Sequence, residues 1–225
     1  MIKNIVNLGD AAIYCDFGSK INKDINLKVI KYFKALKNKN LKGVTNLSPS
    51  YNKLIISFNL NETSYNNLKH EILDLDLNFN IENQSQNINI PICCDDEFSL
   101  DIERIEKKFK KSKSEILNLF LNKNYFCYMT GFVAGMPFLG DIEREIQLSR
   151  LETPRVKVPK GSIGITEQFC NIYTFESPGG WNIIGKTPTN IFNPINEIKP
   201  NLISPGDEVT FYEIKKKEYI KFYEK

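Results

Sequence analysis

Hydrophobic positions follow two different grammars along this chain. In the first 90 residues or so, strand-like and helix-like patterns alternate. Asn4 to Asp16 reads as a strand, and Asp24 to Leu36 as a helix with Val29, Ile30, Phe33 and Leu36 on one face and Asp24 as its N-cap. Tyr51 to Leu60 carries the apolar run Leu54, Ile55, Ile56 with Phe58, the pattern of a strand. Thr63 or Ser64 then opens a second helix with Leu68, Ile72 and Leu73 facing inward. This is an α+β module. A strand over Ile88 to Ile92 follows, then an amphipathic helix or helix pair from Leu100 to Leu121, interrupted at Lys110 to Ser114, where Ser112 or Ser114 offers a fresh N-cap. From Tyr125 the pattern becomes all-β. Short runs at Tyr125 to Met129, Gly161 to Ile165, Ile172 to Phe175, Trp181 to Ile184 and Glu208 to Tyr212 are separated by Gly and Pro, which predicts a sandwich or barrel.

Composition sharpens this division. Nine of the 12 glycines and eight of the 10 prolines lie from Gly131 onward, while the stretch FNIENQSQN, within Asn78 to Asn87, is polar and almost free of apolar anchors. The expected organisation is therefore an α+β domain over residues 1–86, then linker helices and a β-domain over 87–225. The charge balance, 30 Lys plus Arg against 27 Asp plus Glu, comes from scattered lysines rather than a basic block, so nucleic acid is not expected as a partner. Five cysteines without CxxC spacing and a single histidine, His70, argue against a zinc site. The cysteines read as small buried hydrophobes and His70 as a solvent-facing helix residue. No signal-peptide pattern opens the chain, and no apolar run approaches the roughly 20 residues of a membrane span. A cytoplasmic protein with reduced thiols and no membrane partner is expected.

Two turn-rich clusters carry candidate chemistry: GFVAGMPFLG at 131–140 and ESPGGWNIIGKTP at 176–188. In SPGGW, Pro178 fixes φ while Gly179 and Gly180 are free to take positive φ, so the chain can present bare N–H groups to a ligand oxygen beside the flat wall of Trp181. The same residues also suit a barrel corner with Trp181 as a core plug. Neither cluster has the spacing of a dinucleotide or phosphate loop. Between them, Arg150, Arg155, Lys157 and Lys160 alternate with prolines. Arg155 can hold a carboxylate bidentately, or belong to a solvated edge. Glu176 reads as a general base or as an exposed carboxylate. Asp95, Asp96, Glu97 and Asp101 read as charge at a helix N-terminus or as oxygens for a hard cation. The lack of a second histidine argues against a self-contained Ser-His or Cys-His hydrolase.

Four motifs in order, GFVAGMPFLG, TPRVKVPKGSIGI, IYTFESPGGWNIIGKTP and SPGDEVTF, make the chain resemble the family of the B-type subunit of 5-oxoprolinase, also called allophanate hydrolase subunit 1 and including the histidine-kinase inhibitor KipI. Weaker similarity covers NLGDAAIYCDFG, Asn46 to Phe58 and INIPICCDDEFSLDIERI. The resemblance implies a small α+β N-terminal domain followed by a cyclophilin-like β-barrel. It also implies one half of a carboxyltransferase module that is inactive alone and works with two partners, the larger carboxyltransferase-like C-type subunit of 5-oxoprolinase plus the A-type one. Together these would convert 5-oxo-L-proline to L-glutamate, with ATP used by the complex and no cofactor or metal held by this chain. It carries over Arg155, Ser162, Glu176, Gly179, Gly180 and Trp181 as substrate-groove residues, without naming a catalytic one. The alternatives it carries are docking on a sensor histidine kinase and a role as a carboxyltransferase-like component of the urea or allophanate route. The sequence departs from the family where Phe120 replaces a usual histidine, where Ala134 and Met136 replace a turn proline and an aromatic, and where Phe169 to Thr174 replace Gln-Thr-Gly-Ile-Tyr-Pro. These changes are expected to remove polar contacts at the groove.

Overall fold

The computed structural model describes residues 2–78 and 85–222. They fall into two compact units that divide between Ser85 and Gln86. Most of the polar stretch read as a linker, residues 79–84, lies outside the described residues.

The first unit is a two-layer α+β fold with strands β1 (Asn4–Asn7), β2 (Ala12–Asp16), β3 (Val44–Pro49) and β4 (Lys53–Phe58), and helices α1 (Lys23–Lys39) and α2 (Tyr65–Leu73). The strands pair antiparallel in the order β1-β2-β4-β3. Alternation along β2 and β4 puts Ile13, Cys15, Leu54, Ile56 and Phe58 on one face, where Val29 and Leu36 of α1 and Leu68 and Ile72 of α2 cover them. The expected single strand Asn4 to Asp16 is instead a hairpin. Gly9 at φ 61° reverses the chain, and the Leu8 N–H donates to Ala12 O at 2.8 Å. The α1 cap is Asn22, not Asp24: Asn22 is extended and its Oδ1 accepts from Ile25 N at 2.9 Å, leaving Asp24 in the first turn. Leu73, expected inside, is 61% exposed because α2 ends there. Strand β3, polar and on the sheet edge, is an element that the hydrophobic pattern does not predict.

The second unit is built on a closed seven-strand barrel. Its strands are β5 (Asn87–Cys93), β6 (Asn124–Thr130), β7 (Pro137–Gly140), β9 (Ser162–Thr166), β10 (Phe169–Ile172), β12 (Asn182–Lys186) and β13 (Glu208–Ile214). They close in the order β10-β7-β6-β13-β5-β12-β9. Two further strands, β8 (Arg155–Val158) and β11 (Ser177–Gly179), pair only with each other as a ribbon. The strand expected over Ile172 to Phe175 starts earlier, at Phe169, because β10 pairs there with Gly140 of β7 and Thr166 of β9. Helices α3 (Ile102–Phe109) and α4 (Lys113–Leu121) follow β5, and α5 (Lys216–Lys221) ends the described chain. The break between α3 and α4 is made by Lys110 at φ 53° and by Ser112, which forms a capping box with Glu115. No described helix is long and apolar enough to cross a membrane.

The barrel interior takes Ile90, Ile92, Tyr125, Cys127, Leu139, Ile163, Ile165, Cys170, Ile172 and Ile184, joined by Ile105, Ile116 and Phe120 from the helices. Phe120 is fully buried, with ring centroids 5.1 Å from Tyr125 and 5.0 Å from Phe211, while its carbonyl accepts the Tyr125 hydroxyl at 2.7 Å. The departure at position 120 therefore changes core packing and removes nothing from a groove. We expect Phe120→Ala to destabilise the chain by about 3–5 kcal/mol in urea unfolding. All five cysteines are buried and free. Burial pushes the Cys15 and Cys94 thiols up to about 12 and raises Cys93, Cys127 and Cys170 as well. Alkylation at pH 8 should accordingly leave the native chain unmodified and label it only after unfolding, as mass spectrometry would show.

Candidate active site

The period of two that sends Cys170, Ile172, Ile163, Ile165 and Leu139 into the barrel sends Asn171, Gly164 and Phe138 to its outer wall. There Met136, Val158, Tyr173 and Ile183 form a second, smaller apolar cluster, with Val133 and Phe138 at its margin. The β8–β11 ribbon, which supplies Val158, belongs to this side of the barrel. Trp181, half-buried, sets its ring edge-on to Phe138 with centroids 5.6 Å apart.

One carboxylate fixes the arrangement. Asp101, 6% exposed at the start of α3, accepts both arms of the Arg155 guanidinium, Nη2 at 2.7 Å and Nη1 at 3.0 Å, and also accepts the Ile183 N–H at 2.7 Å. Its own N–H donates to Ile183 O at 2.9 Å, so Asp101 pairs with β12 as a strand residue would. Helix, barrel and ribbon meet at this residue. Asn182, wholly buried, does similar work beside it. Its Nδ2 reaches Ser149 O and Ile165 O, each at 3.1 Å, and its Oδ1 accepts from Arg104 Nη1. Leu151 N also donates to Gly180 O at 2.7 Å, and the side chain of the exposed Arg150 lies with its Nε and Nη2 beside Gly180.

The residues expected in one groove are distributed differently. Arg155 does hold a carboxylate bidentately, but it is that of Asp101. Neither Gly179 nor Gly180 takes positive φ. Their missing side chains serve close approach instead: a Cβ on Gly179 would overlap Tyr173 Oη, and one on Gly180 would sit 3.2 Å from Arg150 Nε and Nη2. Ser162 is buried, and its carbonyl accepts from Tyr173 N at 2.9 Å. Glu176 is exposed, pairs with Lys157 at 3.1 Å, and faces a separate pocket of about 410 Å³ lined by Lys160, Gly161, Lys186 and Thr187. Arg155, Gly179, Gly180 and Trp181 thus lie along or next to the ribbon, while Glu176 looks elsewhere. Among the acidic residues, Asp96 pairs with Lys113 and Glu97 with Lys216. Among the described residues no group of three or more His, Cys, Asp or Glu is placed to hold a metal ion.

Tyr173, Asn171, Asn182 and Arg150 also lie on this side of the barrel, and sequence reasoning does not single them out as site residues. The Tyr173 hydroxyl is hydrogen-bonded to the Asn171 side chain and to the Trp181 backbone N–H, and burial raises its pKa above the usual phenol range. Strand parity around the glycines is the signal that points to Asn171. The departures contribute here: Met136 packs beneath Asn171, the Ala134 carbonyl accepts Thr174 Oγ1 at 2.7 Å, and Phe169 stacks edge-on against Tyr128.

A family model described as "Carboxyltransferase domain, subdomain C and D" matches residues 3–203. The chain belongs to this family. It is 30% identical to the B-type subunit of 5-oxoprolinase from Bacillus subtilis over 96% of its own length and 94% of that protein. A conserved uncharacterized protein from Pyrococcus horikoshii is 33% identical over 96% of this chain and all of its own, with a TM-score of 0.58. The Kluyveromyces lactis urea amidolyase shares the fold at a TM-score of 0.78 and 18% identity, this chain covering 96% of itself but 15% of that protein. Other relatives are also matched in part, the chain spanning 60% of a Haemophilus influenzae relative and 40% of another solved chain.

Three substitutions test this geometry. Asp101→Ala leaves Arg155 without its partner and Ile183 N–H unpaired, and should cost about 3 kcal/mol, the low end for a buried charge pair because Arg155 remains 29% exposed. Gly179→Ala should cost about 1–3 kcal/mol by driving the ribbon off Tyr173, whereas Gly180→Ala meets the mobile end of an arginine and should cost less. Urea unfolding of the three variants measures the order.

Proposed function

We propose that this chain is the B-type subunit of an ATP-dependent 5-oxoprolinase, working beside a larger carboxyltransferase-like C-type partner and an A-type partner to open 5-oxo-L-proline to L-glutamate. The observation that carries this reading is the match across 96% of this chain and 94% of the Bacillus subtilis protein of that name, which spans both units rather than the barrel alone. The outer wall of the barrel supports it. The half-buried Trp181 ring offers an apolar face to a five-membered ring, and the exposed Arg150 beside Gly180 offers a guanidinium to the ring's carboxylate. Arg155 is a positioning residue in this reading, since Asp101 fills its fork. ATP is handled by the two partners, and the chain is inactive alone.

The test is co-expression with the A-type and C-type partners, followed by assay of ATP-dependent glutamate release from 5-oxoproline. Omitting this chain should abolish release, and Arg150→Ala should raise KM for 5-oxoproline about 10- to 100-fold, the loss expected for one hydrogen bond to a charged group. Full activity without this chain overturns the reading.

A further inference from the structure

The sheet of the first unit ends in an open edge. In the order β1-β2-β4-β3, strand β3 has a ladder partner on one side only. Ser50 N donates to Lys53 O at 2.9 Å, so the antiparallel register turns the backbone groups of Asn46 and Ser48 toward β4 and those of Leu47 away from it. An N–H and a C=O at the middle of β3 thus point along the sheet with no strand to receive them.

A groove runs beside this edge. Helix α1 and β3 bound a cavity of about 320 Å³ whose apolar lining is Phe33, Leu36, Leu41, Val44 and Leu47, and the exposed Lys37 lines it as well. A strand added to β3 would send alternate side chains into this cavity and leave the others on the opposite face of the sheet.

Charge selects the occupant. Residues 25–61, which contain most of α1 together with β3 and β4, carry seven lysines and no aspartate or glutamate. Lys39 and Lys53 are answered from outside the stretch, by Glu71 and Asp16. Lys37 and Lys42 are exposed where the chain turns into β3. Two copies of this surface repel each other, which disfavours self-pairing along β3, whereas a strand carrying carboxylates is attracted to it.

We propose that β3 and the groove beside it form a strand-addition site for an extended acidic segment of a partner protein, with its apolar side chains in the groove and its carboxylates toward the lysines. Main-chain hydrogen bonds to Leu47 hold such a segment in register, and the groove selects its alternate side chains. The site lies within the first unit and is independent of the 5-oxoprolinase reading.

The full chain provides the test, with fluorescein-labelled octapeptides of alternating valine and either glutamate or lysine as probes, read by fluorescence anisotropy. The glutamate peptide should bind at least tenfold more tightly than the lysine peptide. Lys37→Glu, at an exposed helix position, should narrow that ratio at least threefold and leave the melting temperature unchanged. N-methylation of alternate backbone nitrogens gives two further probes, each blocked along one edge. One should lose at least tenfold in affinity and the other less than twofold, because an added strand pairs along a single edge. Hydrogen exchange at the Leu47 amide should slow at least tenfold in the complex. No binding of the glutamate peptide, equal binding of the two charge forms, or equal loss with either methylated edge overturns the proposal. Leu47 protection that grows with the concentration of the chain alone overturns it in favour of a second copy. A thymidine dodecamer that binds more tightly than the glutamate peptide overturns it in favour of nucleic acid.

Discussion

The Asp101 carboxylate is the constraint on which the placement of the ribbon depends. It receives a bidentate guanidinium from the ribbon and a backbone N–H from barrel strand β12, while its own N–H returns a bond to the same strand. A lone buried carboxylate would be prohibitively unfavourable, and an arginine paired only across solvent would contribute little. Combined in one nearly closed cluster, the two charges satisfy each other and fix three elements together. The ribbon β8–β11 shares no ladder with the barrel, so this ion pair and the small cluster of Met136, Val158, Tyr173 and Ile183 supply its attachment.

With the ribbon fixed, its sequence acquires a meaning different from that of a tight turn. SPGG is extended, and its glycines are spaces: one for a phenol, one for a guanidinium. The same device operates across the wall at Gly164, which lets Trp181 and Asn171 approach one another. Close backbone approach leaves polar side chains buried beside apolar ones, such as Asn182, whose carboxamide is bonded to Ser149 O, Ile165 O and Arg104, and Asn171, whose carboxamide lies against Met136 and Tyr173.

Much of the secondary structure is legible in the sequence because it depends on periodicity. The alternation in Leu54 to Phe58 and the i, i+4 spacing of Leu68 and Ile72 reflect which face is buried, and burial of that face is the main source of their stability. Cap identities are less legible. Asn22 and Asp24 are equally good capping residues by type, and only the extended backbone at Asn22 selects between them. Strand β3 is hidden because a polar edge strand has no alternation to read. Likeness to a family position points Phe120 toward the groove, whereas its ring lies among Tyr125 and Phe211 inside the barrel.

By itself, the sequence determined the two-part architecture, the α+β and all-β characters of the parts, the buried cysteines and the motif order that places the chain in its family. Each of these is a property of local pattern or of residues counted along the chain. Tertiary structure alone decided which charge answers Arg155 and why Gly179 and Gly180 are glycines. Those outcomes join residues 54 positions apart, as in Asp101 and Arg155, or 82 apart, as in Asp101 and Ile183. No spacing along the chain encodes them, because a hydrogen bond depends on where closed strands bring atoms in space, and a closed barrel brings together what the sequence keeps far apart.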